Sequence, residues 1–445
     1  MSTQQSAHFL DAPFFDGHLI RPGDKDYDQY RKVWNGLFDR RPALILRARS
    51  SDDVRACIRL AADRGLALAV RCGGHSLPGF STCDEGMVLD LSLMNHIRIN
   101  PIDRTAEVGG GALLGDLDKA ASPYGLVTPA GVVSHTGIAG LTLGGGMGWL
   151  SRRFGLTIDS LIAAEICLAD GTMLTASPEN EPDLFWGLRG GGGNFGVVTK
   201  FFFRMHALGN VLVGRWEYPM QHMRAALDAY GALAGAAPRH LTSSFAATRN
   251  KLTVTAFWSG DLAGAEAAIA AFGRLAPGAC GTIGGTTFLQ LQSRNDELVA
   301  WGRRYYAKGG FLEVLTEPAI GSMCSGGAEA PTADSEIYVL QLGGAACDIG
   351  EDDTAYSGRS AAFYWIAMPV WDDPVDDARC LAWGRATARR LAESSSSRNY
   401  VNEQADPGIA QQAYGAEKYR RLVKLKTRFD PTNLFRLNQN IAPQE

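Results

Sequence analysis

Glycine constrains this chain more than any other residue. It fills 52 of the 445 positions, about 12 % where an average protein uses about 7 %, and it gathers in four runs within the first 200 residues. These are GGHSLPG (73–79), GGGALLG (109–115), GIAGLTLGGGMG (137–148) and RGGGGNFG (189–196). A residue without Cβ is favoured where backbone must approach another backbone or a ligand closely, so the N-terminal half is expected to build a wall around something held tightly. The first run follows LALAVR, a buried-strand pattern, so Arg71-Cys72-Gly73-Gly74-His75-Ser76 presents successive N–H groups in a tight turn, an anion-binding nest suited to a pyrophosphate. The last run contains G-x-G-x-x-G, but a helical PDLFWGLR precedes it and a strand pattern, VVTKFFFRMHA, follows. That is the reverse of the strand-to-helix order a dinucleotide-binding Rossmann turn requires.

The length suits two to three lobes with a sizeable core. Forty-three Lys and Arg against 47 Asp and Glu leave a formal charge of −4, which argues against the basic face of a nucleic-acid binder. No apolar run approaches the roughly 18 residues that span a bilayer, and MSTQQSAHFLDAPFF lacks the basic end and apolar centre of a signal peptide. A soluble cytoplasmic protein without a membrane partner is expected. The eight cysteines include no C-x-x-C pair and the histidines have no ligand spacing, so neither a redox dithiol nor a metal site is expected.

Elements follow from capping and periodicity. ALIL reads as a strand, SSDDVRACIRLAADR as a helix opened by Ser and Asp and closed by Gly65, and MVLDL as a strand. ICLADGTMLTA reads as a hairpin turning at Asp170-Gly171. Beyond about residue 208, helices are expected around MRAALDAYGALAGAA and DDARCLAWGRATARRLAES, and strands at LTVTAFW and IYVLQLGG. MCSGGAEAPTADSE and GEDDTAYSGR read as polar loops, and Ser394 to Ser397 as a domain-crossing linker.

In combination, RCGGHS with Gly79, GIAGLTLGGGMGWLSRRFGLTIDSL, GLRGGGGNFGVVT and YGAEKYRRLVKLKTRFDPTNLFRLNQNI resemble the flavin-dependent oxidases of the berberine bridge enzyme type, in the vanillyl-alcohol oxidase superfamily. The four segments occur in the family's order over nearly the whole chain. The resemblance implies an α+β fold: a two-lobed FAD-binding domain of the PCMH type at 1–207, an inserted antiparallel-sheet substrate domain covered by helices at 208–389, and a segment at 390–445 that returns to the FAD domain.

It also implies site residues. His75 stands where the family's histidine bonds the flavin 8α-methyl group. Arg71, Gly73, Gly74, Ser76 and Gly79 would cradle the pyrophosphate. Gly137, Gly140, Gly144 and Gly145 would pass the ribityl chain and ring, Val197 and Val198 the adenine side, and Asn402 and Asn438 would close the site. Val133 stands where many relatives carry a second flavin-bonding cysteine, so a single link through His75 is expected. Thr136 stands where a small or branched residue governs oxygen access. Tyr400-Val401-Asn402-Glu403 matches the tail segment lining the flavin, with glutamate where relatives commonly have tyrosine.

Glu403 starts near pKa ~4.3 against ~10 for a phenol, so it suits a base at neutral pH; it also suits pairing with a substrate cation, or, as most carboxylates do, it faces solvent. Tyr305, Tyr306, Lys308, Tyr364 and Trp365 fall where relatives form the substrate roof, Tyr306 and Tyr364 being the chosen candidates. Tyr364 and Trp365 are neighbours on a strand, so at most one lines the pocket. The expectation is an FAD-linked oxidase that takes a hydride from a C–H beside an alcohol or hemiacetal of a small natural product or sugar, with dioxygen as acceptor. C–N oxidation of a small alkaloid-like heterocycle is the alternative, and a catalytically silent flavin-binding protein the reading from another class.

Overall fold

Ser50 and Gly65 bracket the first long helix as their chemistry requires. The Ser50 hydroxyl accepts from Asp53 N, Asp53 returns the bond to the Ser50 N–H, and Gly65 closes Ser51–Arg64 in the left-handed region. In the computed structural model, which describes residues 15–396 and 398–444, this helix packs on a four-stranded sheet ordered His18–Ile20, Leu44–Arg47, Met87–Asp90, Leu68–Arg71. The last three strands are parallel. Most of the MSTQQSAHFLDAPFF segment, with His8, and Ser397 of the proposed linker lie outside the described residues.

A second sheet, wholly antiparallel, runs Ile97–Asn100, Thr105–Gly109, Val197–Arg204, Leu161–Cys167, Met173–Ala176, with the expected hairpin between its last two strands. Leu68 and Val70 of the first sheet and Val197 and Val198 of the second line one cleft together with glycines of three of the four runs, while Gly109, Gly110 and Gly111 pack instead against the backbone of Met94, Val198 and Leu91.

The chain then forms a seven-stranded antiparallel sheet ordered Cys280–Thr286, Val211–Pro219, Lys251–Trp258, Leu241–Ala247, Glu336–Gln341, Phe363–Met368, Lys308–Leu312. Strand side chains alternate between faces. Ile337, Val339, Phe363, Trp365, Phe245 and Val254 point into a core under the helices Met223–Gly235, Glu317–Ala328 and Asp377–Ala392. Their sequence neighbours, among them Glu336, Tyr338, Tyr364, Ile366, Ser244 and Thr255, line a cavity on the other face. One apolar face thus buys a rigid wall whose opposite face is free to be polar.

One element departs from expectation. Met323 to Ala328, read as loop, ends the Glu317–Ala328 helix, because Gly326 and Gly327 let that helix close on Ile337, Thr387 and Ala247; packing outweighs the low helix propensity of Ser and Gly. Among the described residues no helix is long and apolar enough to cross a membrane, no cluster of three His, Cys, Asp or Glu is placed to hold a metal, and all eight cysteines are free thiols.

Candidate active site

The strand Leu68–Arg71 ends in the turn Cys72–Ser76, whose Gly74, His75 and Ser76 N–H groups find no acceptor among the described residues, while the Gly73 N–H turns toward the Cys72 sulfur. Against it lies Gly137, the residue before the helix Ile138–Gly144. A Cβ on either Gly73 or Gly137 would fall inside contact with the other's backbone nitrogen, so glycine is obligatory at both. Gly137→Ala is therefore expected to push the two loops apart and lower bound flavin at least tenfold while far-UV circular dichroism is retained, since one lost hydrogen-bonding wall amounts to about 1.4 kcal/mol or more. Flavin absorbance per chain after desalting measures it.

Gly191, Gly192 and Gly193 form the facing wall, held by Asn194, whose Nδ2 donates to Gly191 O at 2.9 Å. From the tail, Asn438 Nδ2 donates to Gly193 O, while its Oδ1 is buried with no partner. A row of free N–H groups, a cradle that a Cβ would fill and an orphaned amide oxygen fit an elongated phosphate-bearing ligand such as FAD. The cleft opens into a cavity of about 980 Å³, at the upper end of the ~300–1,000 Å³ of small-molecule sites.

His75 borders this cavity. Its Nε2 lies 2.7 Å from His135 Nδ1, and its ring stacks on Trp34 at 4.8 Å, which in turn stacks on Tyr305. Burial, and secondarily His135, push His75 down to about 3, so the imidazole is neutral at physiological pH.

Glu403 lies in the short turn Val401–Glu403, in the cavity wall. Although its edge is open to the cavity, protein surrounds it, and that burial raises the carboxyl to about 7 against the pull of the Tyr364 hydroxyl. Tyr364 OH faces it without a hydrogen bond of good geometry, and Tyr338 OH is likewise buried and unpartnered. Tyr400 OH accepts from Gly146 N (3.1 Å) and Asn402 Nδ2 (2.9 Å), which locks the tail onto the glycine helix. Glu336 also lines the cavity and is raised to about 7, by burial and then Asp334, with Arg215 opposing.

Of the expected site residues, Gly73, Gly74, His75, Ser76, Thr136, Gly137, Gly140, Val197, Val198, Tyr364, Tyr400, Asn402, Glu403 and Asn438 all line this one cavity. Others do not. Arg71 is committed to Asp90 at 2.7 Å in a buried pair, its register partner on the parallel strand. Gly79 is a positive-φ turn residue beneath Phe38. Gly144 makes room for Asn402, and Gly145 for Tyr356. Tyr306 hydrogen-bonds Asp406 in a separate cluster with Trp371 and Cys380, Lys308 pairs with Asp406, Tyr305 is fully buried against Trp34, and Trp365 points to the helix side. Glu336 and Tyr338 were not expected, although the alternation in EIYVLQ marks both for the face opposite Ile337 and Val339.

A family model described as FAD binding domain matches residues 42–177, and one described as berberine and berberine like matches 398–442. An FAD-linked oxidoreductase of Dictyostelium discoideum is 31 % identical over 433 residues, covering 96 % of this chain and 95 % of its own. The (R)-6-hydroxynicotine oxidase of Paenarthrobacter nicotinovorans is 30 % identical over 456 residues, covering 96 % and 97 %. The crystal structure of 6-hydroxy-D-nicotine oxidase from Arthrobacter nicotinovorans superposes with a TM-score of 0.87 at 27 % identity, over 98 % of this chain and all of that one.

Proposed function

The chain belongs to the FAD-linked oxidases of the berberine bridge enzyme type, and from that premise we propose that it oxidises a C–H bond beside an alcohol or hemiacetal of a small molecule, with Glu403 as the base. Residues 1–207 and 390–445 would hold FAD, and 208–389 would roof the substrate. Bound FAD supplies a two-electron hydride acceptor that dioxygen reoxidises, releasing hydrogen peroxide. The free N–H groups of Gly74 to Ser76 would hold its phosphates, and His75 would tether it through a single covalent bond. Glu403 takes the O–H proton, while the unpartnered hydroxyls of Tyr364 and Tyr338 orient the substrate's oxygen.

The observation carrying this reading is the carboxyl near pH 7 beside two orphaned hydroxyls in a cavity continuous with the cradle. Peroxide release and flavin bleaching with a panel of secondary alcohols and aldoses test it; a flavin that no alcohol bleaches overturns it. Glu336, a further carboxyl in the cavity wall, favours one other reading: an added acid suits a cationic amine, and turnover of secondary amines but not sugars would select C–N oxidation.

For the tether, His75→Ala is expected to lower the mass of the denatured chain by one FAD moiety and to release the flavin into the supernatant on acid precipitation. Intact mass and supernatant absorbance check it; a variant that keeps its flavin through denaturation places the bond elsewhere.

A further inference from the structure

One row of the seven-stranded sheet runs along the cavity. Tyr364, Leu340, Ser244, Thr255 and Arg215 are register partners on five successive strands, and all five line it. At ~4.8 Å per strand, four steps set the Arg215 Cα about 19 Å from that of Tyr364. The chemistry changes along the row, from a phenol facing Glu403 through a leucine and two hydroxyls to a guanidinium.

At the far end a second guanidinium joins the first. Arg294 follows the helix Phe288–Gln292 and lines the same cavity; burial, and then Arg215, lower its pKa, so the two cations lie within range of each other. Neither has a close counter-ion. Among the described residues Arg294 makes no ion pair, and the one carboxylate within 4.0 Å of Arg215 is Glu217, at 3.8 Å, which Lys251 already holds at 2.6 Å. Of the acids in the wall, Asp334 pairs with Arg303 at 2.9 Å, and Glu297 and Glu336 form no ion pair with either arginine. Trp149, whose ring lines the cavity and packs in one cluster with Val213 and Leu291, shortly before the two arginines in sequence, keeps a buried Nε1–H with no acceptor. Guanidinium and indole nitrogens only donate, and two like charges held together are stabilised by an anion between them.

We propose that Arg215 and Arg294 form an anion subsite, and that the substrate is an extended molecule bearing a carboxylate or phosphate at the end remote from the carbon that is oxidised. The proposal rests on the substrate occupying this cavity, as above. Ionised Glu403 repels such a group from the reacting end, so the two charges together set which way round the molecule lies.

The test titrates the FAD-loaded full chain by calorimetry with 6-phenylhexanoate, 6-phenylhexyl phosphate and 6-phenylhexanol, which share one extended apolar body. With the flavin cradle filled, an anion that binds does so elsewhere. At least one anion is expected to bind about ten- to a hundredfold more tightly than the alcohol, the worth of charge-assisted hydrogen bonds discounted for exposure, and which anion binds better separates a carboxylate from a phosphate substrate. Arg215→Gln and Arg294→Gln are each expected to lose about tenfold of that preference while keeping the alcohol's affinity and the flavin absorbance per chain. Equal binding of anions and alcohol, no binding of any probe, or a preference that survives the double substitution overturns the subsite. Loss of flavin from either variant assigns the guanidiniums to the cofactor and overturns it too. A wild-type chain that prefers the anions, although no alcohol or amine bleaches its flavin, upholds the subsite and removes the proposed chemistry instead.

Discussion

Replacing Glu403 by Gln is expected to lower kcat by 10²- to 10⁴-fold, the usual worth of a positioned general base, and to raise stability at the same time. The two effects have one cause. Burial holds the carboxyl at about 7, so the charged form is disfavoured in the folded protein relative to the unfolded chain, where a glutamate titrates near ~4.3. As a base Glu403 must be ionised: kcat/KM should rise as pH increases through about 7 and level off above it, and that inflection should be absent from the Gln variant. For stability the sign is opposite. The folded state binds the proton more tightly, so wild type loses stability relative to Glu403→Gln as pH climbs from the unfolded value to about 7, and the deficit is constant above that. At about 1.4 kcal/mol per unit, reduced because the carboxyl's edge meets the cavity, the deficit is on the order of 1–3 kcal/mol. The FAD-loaded variant should therefore melt a few degrees higher than wild type at pH 8.5 and at the same temperature at pH 4. A Gln variant with wild-type kcat removes Glu403 from the chemistry, and one with a wild-type melting temperature at pH 8.5 removes the burial argument.

The residues that sequence reasoning located are those whose signal is local. Ser50 and Gly65 cap a helix through bonds to their own neighbours, and the glycine runs mark a cradle because a missing Cβ is a property of each residue alone. Glu403 and Tyr364, named from the resemblance of the tail and of the inserted domain, both line the cavity. The expected residues that lie away from the cavity are those whose surroundings depend on a distant partner. Arg71 beside a nest of N–H groups reads as an anion ligand until the parallel register brings Asp90 opposite it. Tyr306 reads as a pocket aromatic until Asp406, a hundred residues on, takes its hydroxyl. Glu336 and Tyr338 were detectable by strand alternation, but which face of the strand met the cavity depended on helices packing against the other.

The tail's grip on the cradle depends on such a distant partnership. Lys426, wholly buried, spends its three protons on Asp430 Oδ2 at 2.7 Å, Asn194 O at 2.9 Å and Phe435 O at 2.9 Å. Asp430 in turn accepts from Leu434 N and Phe435 N. One ammonium group thus joins the Ala410–Phe429 helix, the turn that leads to Asn438, and the Gly191–Gly193 wall through Asn194. Burial lowers the lysine's pKa, against the support of Asp430, so the pair is costly to form, but breaking it costs more. Lys426→Met leaves a carboxylate without its cation and the Asn194 carbonyl without this donor in the interior, Phe435 O keeping only Asn438 Nδ2, and is expected to destabilise by about 3–5 kcal/mol. Because Asn194 and Asn438 are displaced together, flavin affinity should fall before the sheets melt: absorbance per chain drops at temperatures where circular dichroism is unchanged. Lys426→Met/Asp430→Asn, which removes the stranded charge but keeps an acceptor for Leu434 and Phe435, should recover part of the loss, so the double variant is less destabilised than the two single losses added. If the single lysine variant melts with wild type, or the two losses simply add, the tail is held by its apolar face, with Leu422, Leu425 and Phe429 in the core, and the ion pair is incidental to flavin binding.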